Sequence, residues 1–221
     1  MNKEIVCVIP AKLTSERCPM KNIKPFAGST LIDIKIEQAK RVGVFDRIVV
    51  NTDSDMIIDI AKRHGVSWKL RPYEYTVCGN HEYHQYIAKS EPDSIVCMCN
   101  CTSPLITDET IVKCVESYER ISDESFSVNT VSDIKTFVFD GNDPINFNMD
   151  RFPKSQDLRP LYECNFGVSM ADSDYVVKNH GWLMLKNHYF VHVDKIEGLD
   201  IDYEEDFQIC EFFYNRLRLG V

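Results

Sequence analysis

Short apolar runs alternate with amphipathic stretches along the first half of this chain. Residues Glu4–Pro10 are rich in Val and Ile and suit a strand buried on both faces. After a polar segment, residues 30–41 carry Leu31, Ile34, Ile36 and Ala39 at helical spacing. The unit recurs, with a strand at 47–51, a helix at 53–64 through Met56, Ile57, Ile60 and Ala61, and a third strand at 66–70. Residues 83–89 predict a helix and 94–100 another buried strand. Residues 107–119 predict a helix that Thr107 can cap, with Asp108 and Glu109 in its first turn. Strands alternating with helices of about 10–15 residues indicate a mostly parallel sheet covered on both faces, a doubly wound, Rossmann-like α/β fold.

The pattern loosens after Ser125. Residues 126–130 and 135–139 read as strands joined by a turn, and 140–160 as an irregular, polar insertion punctuated by Gly141, Asn142, Pro144, Pro153 and Pro160. Strand character returns at 164–170, followed by a short helix at 172–179, a strand at 188–193 and a closing helix at 204–217. With 221 residues, 44% apolar and 27% charged, the chain suits one α/β domain over 1–221, with an arm at 135–165.

Charge and cysteine content narrow the classes. A formal charge of −9 without a basic stripe argues against nucleic-acid binding. The apolar run at residues 5–9 is too short for a signal peptide or a membrane span. The nine cysteines therefore read as reduced thiols of a soluble, cytoplasmic protein.

Three segments carry candidate chemistry. The loop from Ile9 to Asn22 follows the first strand, where open α/β sheets bind ligands, and it holds Lys12, Ser15, Arg17, Lys21 and Asn22. That set suits a triphosphate, although the loop has no glycine and fits neither a P-loop nor a dinucleotide fingerprint; a solvated charged loop is the plainer reading. In the second segment, Asp200 and Asp202 share one face if the backbone is extended, as two carboxylates holding Mg²⁺ would, or else they cap the last helix along with Glu204, Glu205 and Asp206. The third, Ser155-Gln156-Asp157-Leu158 leading into Asn165-Phe166-Gly167, suits either an acceptor pocket or ordinary turns.

In order and in register, these segments resemble the acylneuraminate cytidylyltransferases, which make CMP-sialic acid and related CMP-sugars. The opening Pro10-Ala11-Lys12, Ser15-Glu16-Arg17 and Lys21-Asn22 are similar to that family's phosphate loop. Asn51-Thr52-Asp53-Ser54-Asp55, Arg71-Pro72, Cys101-Thr102-Ser103-Pro104-Leu105, Gln156-Asp157-Leu158 and Asp200-Ile201-Asp202…Asp206-Phe207 continue the match to about residue 212. The resemblance implies a CTP-dependent enzyme. Lys12, Ser15, Asn22 and Arg71 would bind CTP, with Arg71 helping to read the cytosine. Lys21, Arg17, Asp200 and Asp202 would serve catalysis, and Asp200 and Asp202 would hold Mg²⁺. Asn100, Gln156 and Asn165 would lie on the side of a small acidic acceptor, and the arm would reach over a second subunit to make a homodimer.

The departures from the family pattern cluster on the acceptor side. Lys12 stands for Arg, keeping the charge without the bidentate fork, and Glu16 stands for Lys. Asn100-Cys101 replaces Gln-Pro, while Ile106 and Ser155 occupy positions where Arg is usual. The expected acceptor is a sialic-acid-like or other keto-sugar acid; a phosphonate or polyol-phosphate acceptor, or a decayed nucleotide-binding protein, are the alternatives. Elsewhere the plain readings serve. Cys97, Cys99 and Cys101 read as buried thiols, His81 and His84 as surface or near-site groups, and Phe212-Phe213-Tyr214 as the packed face of the last helix.

Overall fold

The computed structural model describes residues 3–219; residues 1, 2, 220 and 221 of the expected domain lie outside it. Its strands are β1 (Glu4–Pro10), β2 (Arg47–Thr52), β3 (Ser67–Leu70), β4 (Ser94–Cys99), β5 (Phe126–Ile134), β6 (Leu161–Asp172) and β7 (Asn187–Val193). They form a seven-stranded sheet in the order β7-β5-β6-β4-β1-β2-β3. β1 pairs in parallel with β2 and β4, β2 with β3, and β5 with β7. β6 runs antiparallel to both its neighbours, β4 and β5. The sheet is thus mostly parallel, as the alternating pattern implies.

The helices are α1 (Leu31–Val42), α2 (Asp55–Arg63), α3 (Glu74–Val77), α4 (Asn80–Ser90), α5 (Asp108–Ile121), α6 (Ser173–Lys178) and α7 (Glu204–Leu219). Side chains of β1 alternate between two cores. Ile5, Cys7 and Ile9 face one that includes residues of α1, α2, α5 and α7. Val6 and Val8 face the other, which includes Ile87 and Ala88 of α4 and Val176 of α6. This double burial is why the strand reads as a continuous apolar run.

Local signals set the helix ends. Thr30 is extended and its hydroxyl accepts from the Asp33 amide, while Gly43 at φ 65° closes α1 in the left-handed region. Thr107 caps α5 as expected, accepting from the Thr110 amide at 3.2 Å and donating to Glu197 at 2.8 Å.

Several boundaries differ from the sequence reading. The strand expected at 126–130 runs on to Ile134 as β5, whose polar Ser132 and Asp133 still pair with β6. Residues 135–139 leave the sheet, apart from a small hairpin of Phe139–Asp140 with Asp143–Pro144. α3 has no counterpart in the hydrophobic pattern, being a single turn with no buried residue. Phe212 points outward at 55% exposed, while Phe213 and Tyr214 pack on the core. His84 is buried; burial pushes its pKa down to about 4, and its Nδ1 accepts from the Leu183 amide. His81 is exposed, so the two histidines do not share a face.

The arm between β5 and β6 has a core of its own. Phe137 stacks on Phe152 at 4.6 Å, and Phe147 meets both rings edge-on. Buried Asn146 ties it together, accepting from the Val138 amide and donating to the Thr136 carbonyl. Replacing Thr107 by Ala removes both the α5 cap and a bond to Glu197, and should lower stability by about 1–2 kcal/mol in urea denaturation.

Candidate active site

Because β1 has β2 on one side and β4 on the other, the winding direction of the fold reverses between β1 and β4. Crossovers diverge at such a point and leave a crevice beyond the carboxyl ends of the strands. Three segments meet there: the loop after β1, the loop after β4, and residues 199–203 ahead of α7. A backbone bond joins the last two, from the Ile201 amide to the Thr102 carbonyl at 2.8 Å.

This junction brings four expected residues together. The Arg17 guanidinium lies 2.7 Å from Asp202 Oδ1 and 5.2 Å from the centre of the Tyr203 ring. Lys21 donates to the Ile201 carbonyl and stands 4.0 Å from Asp202. Asp200 accepts from the Ser103 hydroxyl at 3.1 Å. Burial draws the Lys21 ammonium down in pKa and pushes the Asp200 carboxyl up. The attraction between Lys21 and the two aspartates, with the Thr102 and Ser103 hydroxyls on Asp200, opposes those shifts.

Residues 199–202 lie outside the sheet, so strand alternation does not align the two aspartates. Gly198 sets their approach. A Cβ there would sit 2.0 Å from Ser132 Oγ and 2.8 Å from Asn165 Nδ2, so only glycine lets the turn pass this close to β5 and β6. Asp206 accepts from the Asp202 and Tyr203 amides and so caps α7. Glu204 is engaged by Lys24 and by the Cys18 thiol. These acids have the capping and pairing roles that leave Asp200 and Asp202 as candidate metal ligands. Two carboxylates beside the Arg17 and Lys21 cations, one of them desolvated, fit Mg²⁺, which takes one or two carboxylates and completes its shell with substrate oxygens and water.

The other expected nucleotide residues frame the loop. Asn22 is buried and donates to the Lys12 carbonyl at 2.9 Å. Ser15 Oγ accepts from the Cys18 amide at 3.4 Å. Lys12 is exposed, its ammonium 3.5 Å from the Thr76 carbonyl, and Glu16 points to solvent. Arg71 is buried in a network that the sequence reading missed: its Nε donates to Asn51 Oδ1 at 2.8 Å, its Nη2 to Tyr83 at 2.7 Å, and its guanidinium lies over the Tyr83 ring. Asn51 is joined in turn to Tyr86.

A cleft of about 890 Å³ runs from Asp200 and Asp202 to the root of the arm, lined also by Ile134, Lys135, Asn165, Phe166 and Lys195. Asn165 is fully engaged, accepting from Thr130 at 2.6 Å and donating to Ser132 at 3.0 Å, so it supports the cleft wall. Asn100 holds the Phe166 carbonyl at 2.8 Å. Ile106 is buried against Gly167. Gln156 and Ser155 stand exposed on the arm, and neither lines this cleft. Thr102, Ser103 and Tyr203 went unassigned in the sequence reading, though the Thr-Ser-Pro-Leu element marked the place.

The raised Asp200 carboxyl has a measurable consequence. The folded chain holds that proton more tightly than the unfolded one, so wild-type stability falls as pH rises from the ordinary carboxylate range through the raised pKa. Asp200→Asn should therefore be more stable than wild type at pH 7, with the gap closing below about pH 4, as read by thermal melts across pH.

Residues 6–151 match the cytidylyltransferase family profile. The chain is 26% identical over 215 residues to the pseudaminic acid cytidylyltransferase of Campylobacter jejuni, covering 88% of this chain and 93% of that protein. It is 28% identical over 222 residues to the CMP-N,N'-diacetyllegionaminic acid synthase of Legionella pneumophila, covering 94% of each. Its fold superposes on a CTP complex of CMP:2-keto-3-deoxy-manno-octonic acid synthetase with TM-score 0.73 at 13% identity, over 97% of this chain and 99% of that one. With the family profile matched over residues 6–151, well over half of the chain, and its sheet reversing at the crevice that gathers Arg17, Lys21, Asp200 and Asp202, this chain belongs to the cytidylyltransferase family.

Proposed function

We propose that the enzyme transfers CMP from CTP to a sialic-acid-like keto-sugar acid, releasing pyrophosphate. The observation that carries this reading is the meeting of Arg17, Lys21, Asp200 and Asp202 at the mouth of the β1/β4 crevice, with the cleft beside it. The names of the two sequence relatives, a pseudaminic acid and a legionaminic acid enzyme, support the acceptor class.

In this reading a hydroxyl oxygen of the acceptor attacks the α-phosphorus of CTP, the new P–O bond forms, and the bond to the β-phosphate oxygen breaks. Lys21 and Arg17 neutralise phosphate oxygens as charge shifts towards the leaving group. Lys12, Ser15 and Asn22 shape the loop around the triphosphate. Arg71, its plane fixed by Asn51 and Tyr83, holds the edge of the base site. Asp200 and Asp202 would hold Mg²⁺, which supplies charge neutralisation and orientation of the phosphates when bound. Asn100 and Asn165 fix the wall of the acceptor cleft, where Lys135 and Lys195 offer positive charge to a carboxylate.

The same reading takes residues 1–221 as one cytidylyltransferase domain and 135–165 as a dimerisation arm. Phe139, Ile145, Met149 and Phe152 of the arm are 39–65% exposed, an apolar surface that a second copy would cover and that would bring Gln156 to the partner's site. All nine cysteines are free of disulfides, which supports a reducing, cytoplasmic setting. Among the described residues no helix is long and apolar enough to cross a membrane.

The direct test is pyrophosphate release from CTP and Mg²⁺ with a panel of keto-sugar acids, phosphonates and polyol phosphates, using ATP, GTP and UTP as controls. Release is expected with CTP and a keto-sugar acid only, lost in Asp202→Asn and reduced about 10²–10³-fold in kcat by Lys21→Ala. Release with a polyol phosphate in place of every sugar acid would reassign the acceptor. For the arm, light scattering should give a dimer for the wild type and a monomer for Phe152→Asp; an unchanged mass would remove the arm from the interface.

A further inference from the structure

Lys35 lies in the middle of α1, 1% exposed, with no carboxylate in ion-pair contact among the described residues. Its ammonium donates to Gln38 Oε1 at 2.8 Å and to the Ser103 carbonyl at 3.1 Å. Gln38, also buried, donates through Nε2 to the Ile106 carbonyl at 2.7 Å and to Asp108 at 3.0 Å. Two side chains one turn apart on α1 therefore grip the loop after β4 at residues 103 and 106. That loop is the one that meets the site: the Ser103 hydroxyl donates to Asp200, and the Thr102 carbonyl accepts from the Ile201 amide.

Packing gives no reason for a lysine here. Desolvating an ammonium costs several kcal/mol, and an apolar side chain of the same length would fill the space without that cost. Burial draws the Lys35 ammonium down in pKa, opposed by the thiols of Cys99, Cys101 and Cys7 and by the carboxylate of Asp108, which reaches it only through Gln38. What the ammonium does provide is a charge-assisted bond to a backbone carbonyl, stronger and more directional than a neutral donor could make. It is directed at a loop residue whose side chain, together with that of Thr102, holds Asp200.

We infer that Lys35 is a positioning residue for the reaction: from α1 it fixes the Ser103 backbone, and through Ser103 it sets the place of Asp200. It touches neither substrate nor metal. The inference rests on the reading of Asp200 as a cation ligand, and it assigns a second layer of support on the far side of the β4 loop.

The test uses the full chain with CTP and Mn²⁺ as the metal probe, followed by calorimetry, together with kcat and KM for CTP and acceptor. Lys35→Met should bind Mn²⁺ about 10–100-fold more weakly and lose kcat to a similar degree. Its thermal midpoint should change little, because relief of the buried charge offsets the two acceptors left without that donor. The acceptor KM should be unchanged. Ser103→Ala should give the same pattern, and the double variant should be no worse than the weaker single, since both changes break one path. Should Lys35→Met fail to fold, Gln38→Leu, which releases the other end of the loop, is expected to show the same weakened Mn²⁺ binding. Wild-type Mn²⁺ affinity and kcat in folded Lys35→Met, or strictly additive losses in the double variant, would overturn the inference alone. Mn²⁺ binding that is unaffected by Asp200→Asn would overturn the reading of Asp200, and the inference with it.

Discussion

The parallel pairing of β1 with β2 on one edge and β4 on the other is the constraint from which the site follows. Those two ladders force the loops after β1 and β4 apart at their outset, and the gap between them must be filled by something other than the sheet. Residues 199–203 fill part of it, tied to the β4 loop by the Ile201–Thr102 backbone bond. The rest is lined by charge. A site built this way draws its precision from sheet and helix positions while its reactive groups sit on loops, which is the usual division between rigid frame and functional surface.

The charges in the crevice balance one another before any ligand arrives. Arg17 is paired with Asp202, and Lys21 stands 4.0 Å from Asp202 and feels the charge of the half-buried Asp200. A chain of net charge −9 can attract a triphosphate only through such a local concentration of cations, and here those cations are held in place by the same acids that suit a divalent ion. Metal and nucleotide would then exchange partners with groups already in position, so little reorganisation is required of the loop. Ser103, Gly198 and Asp206 supply the positioning through a hydroxyl, a missing side chain and a helix cap respectively.

Much of this was legible in the sequence because the strands that build the crevice are buried on both faces and advertise themselves as apolar runs. Residues 4–10, 47–52 and 94–99 are examples, and Thr107 announced its helix by its hydroxyl and the acids after it. Arg17, Lys21, Asp200 and Asp202 were marked by residue type, and the structure brings them together, though not through the strand alternation that their spacing suggested. What escaped the pattern has physical reasons. β5 continues beyond the expected Thr130 through Ser132 and Asp133, polar residues bonded to Asn165 and His192 that broke the apolar signal. The network of Arg71 with Asn51, Tyr83 and Tyr86 joins three separate elements, and no local period encodes it. Nothing near Lys35 in sequence shows that the β4 loop covers it.

The reversed direction of β6 has a consequence for how this scaffold can change. Since β6 opposes both β4 and β5, β5 runs the same way as β1 and β4, and the arm therefore departs from the end of the sheet that carries the crevice. The connection from β5 to β6 is a hairpin excursion, free to lengthen, shorten or change its residues while the ladders on either side stay in register. Closing a longer loop costs only about 0.6 kcal/mol per doubling of its length. Strands β1 to β4 are locked by crossovers that run through the core, whereas the arm is attached like a replaceable jaw. On the proposed function, redrafting that jaw would change the acceptor and leave the handling of phosphate untouched.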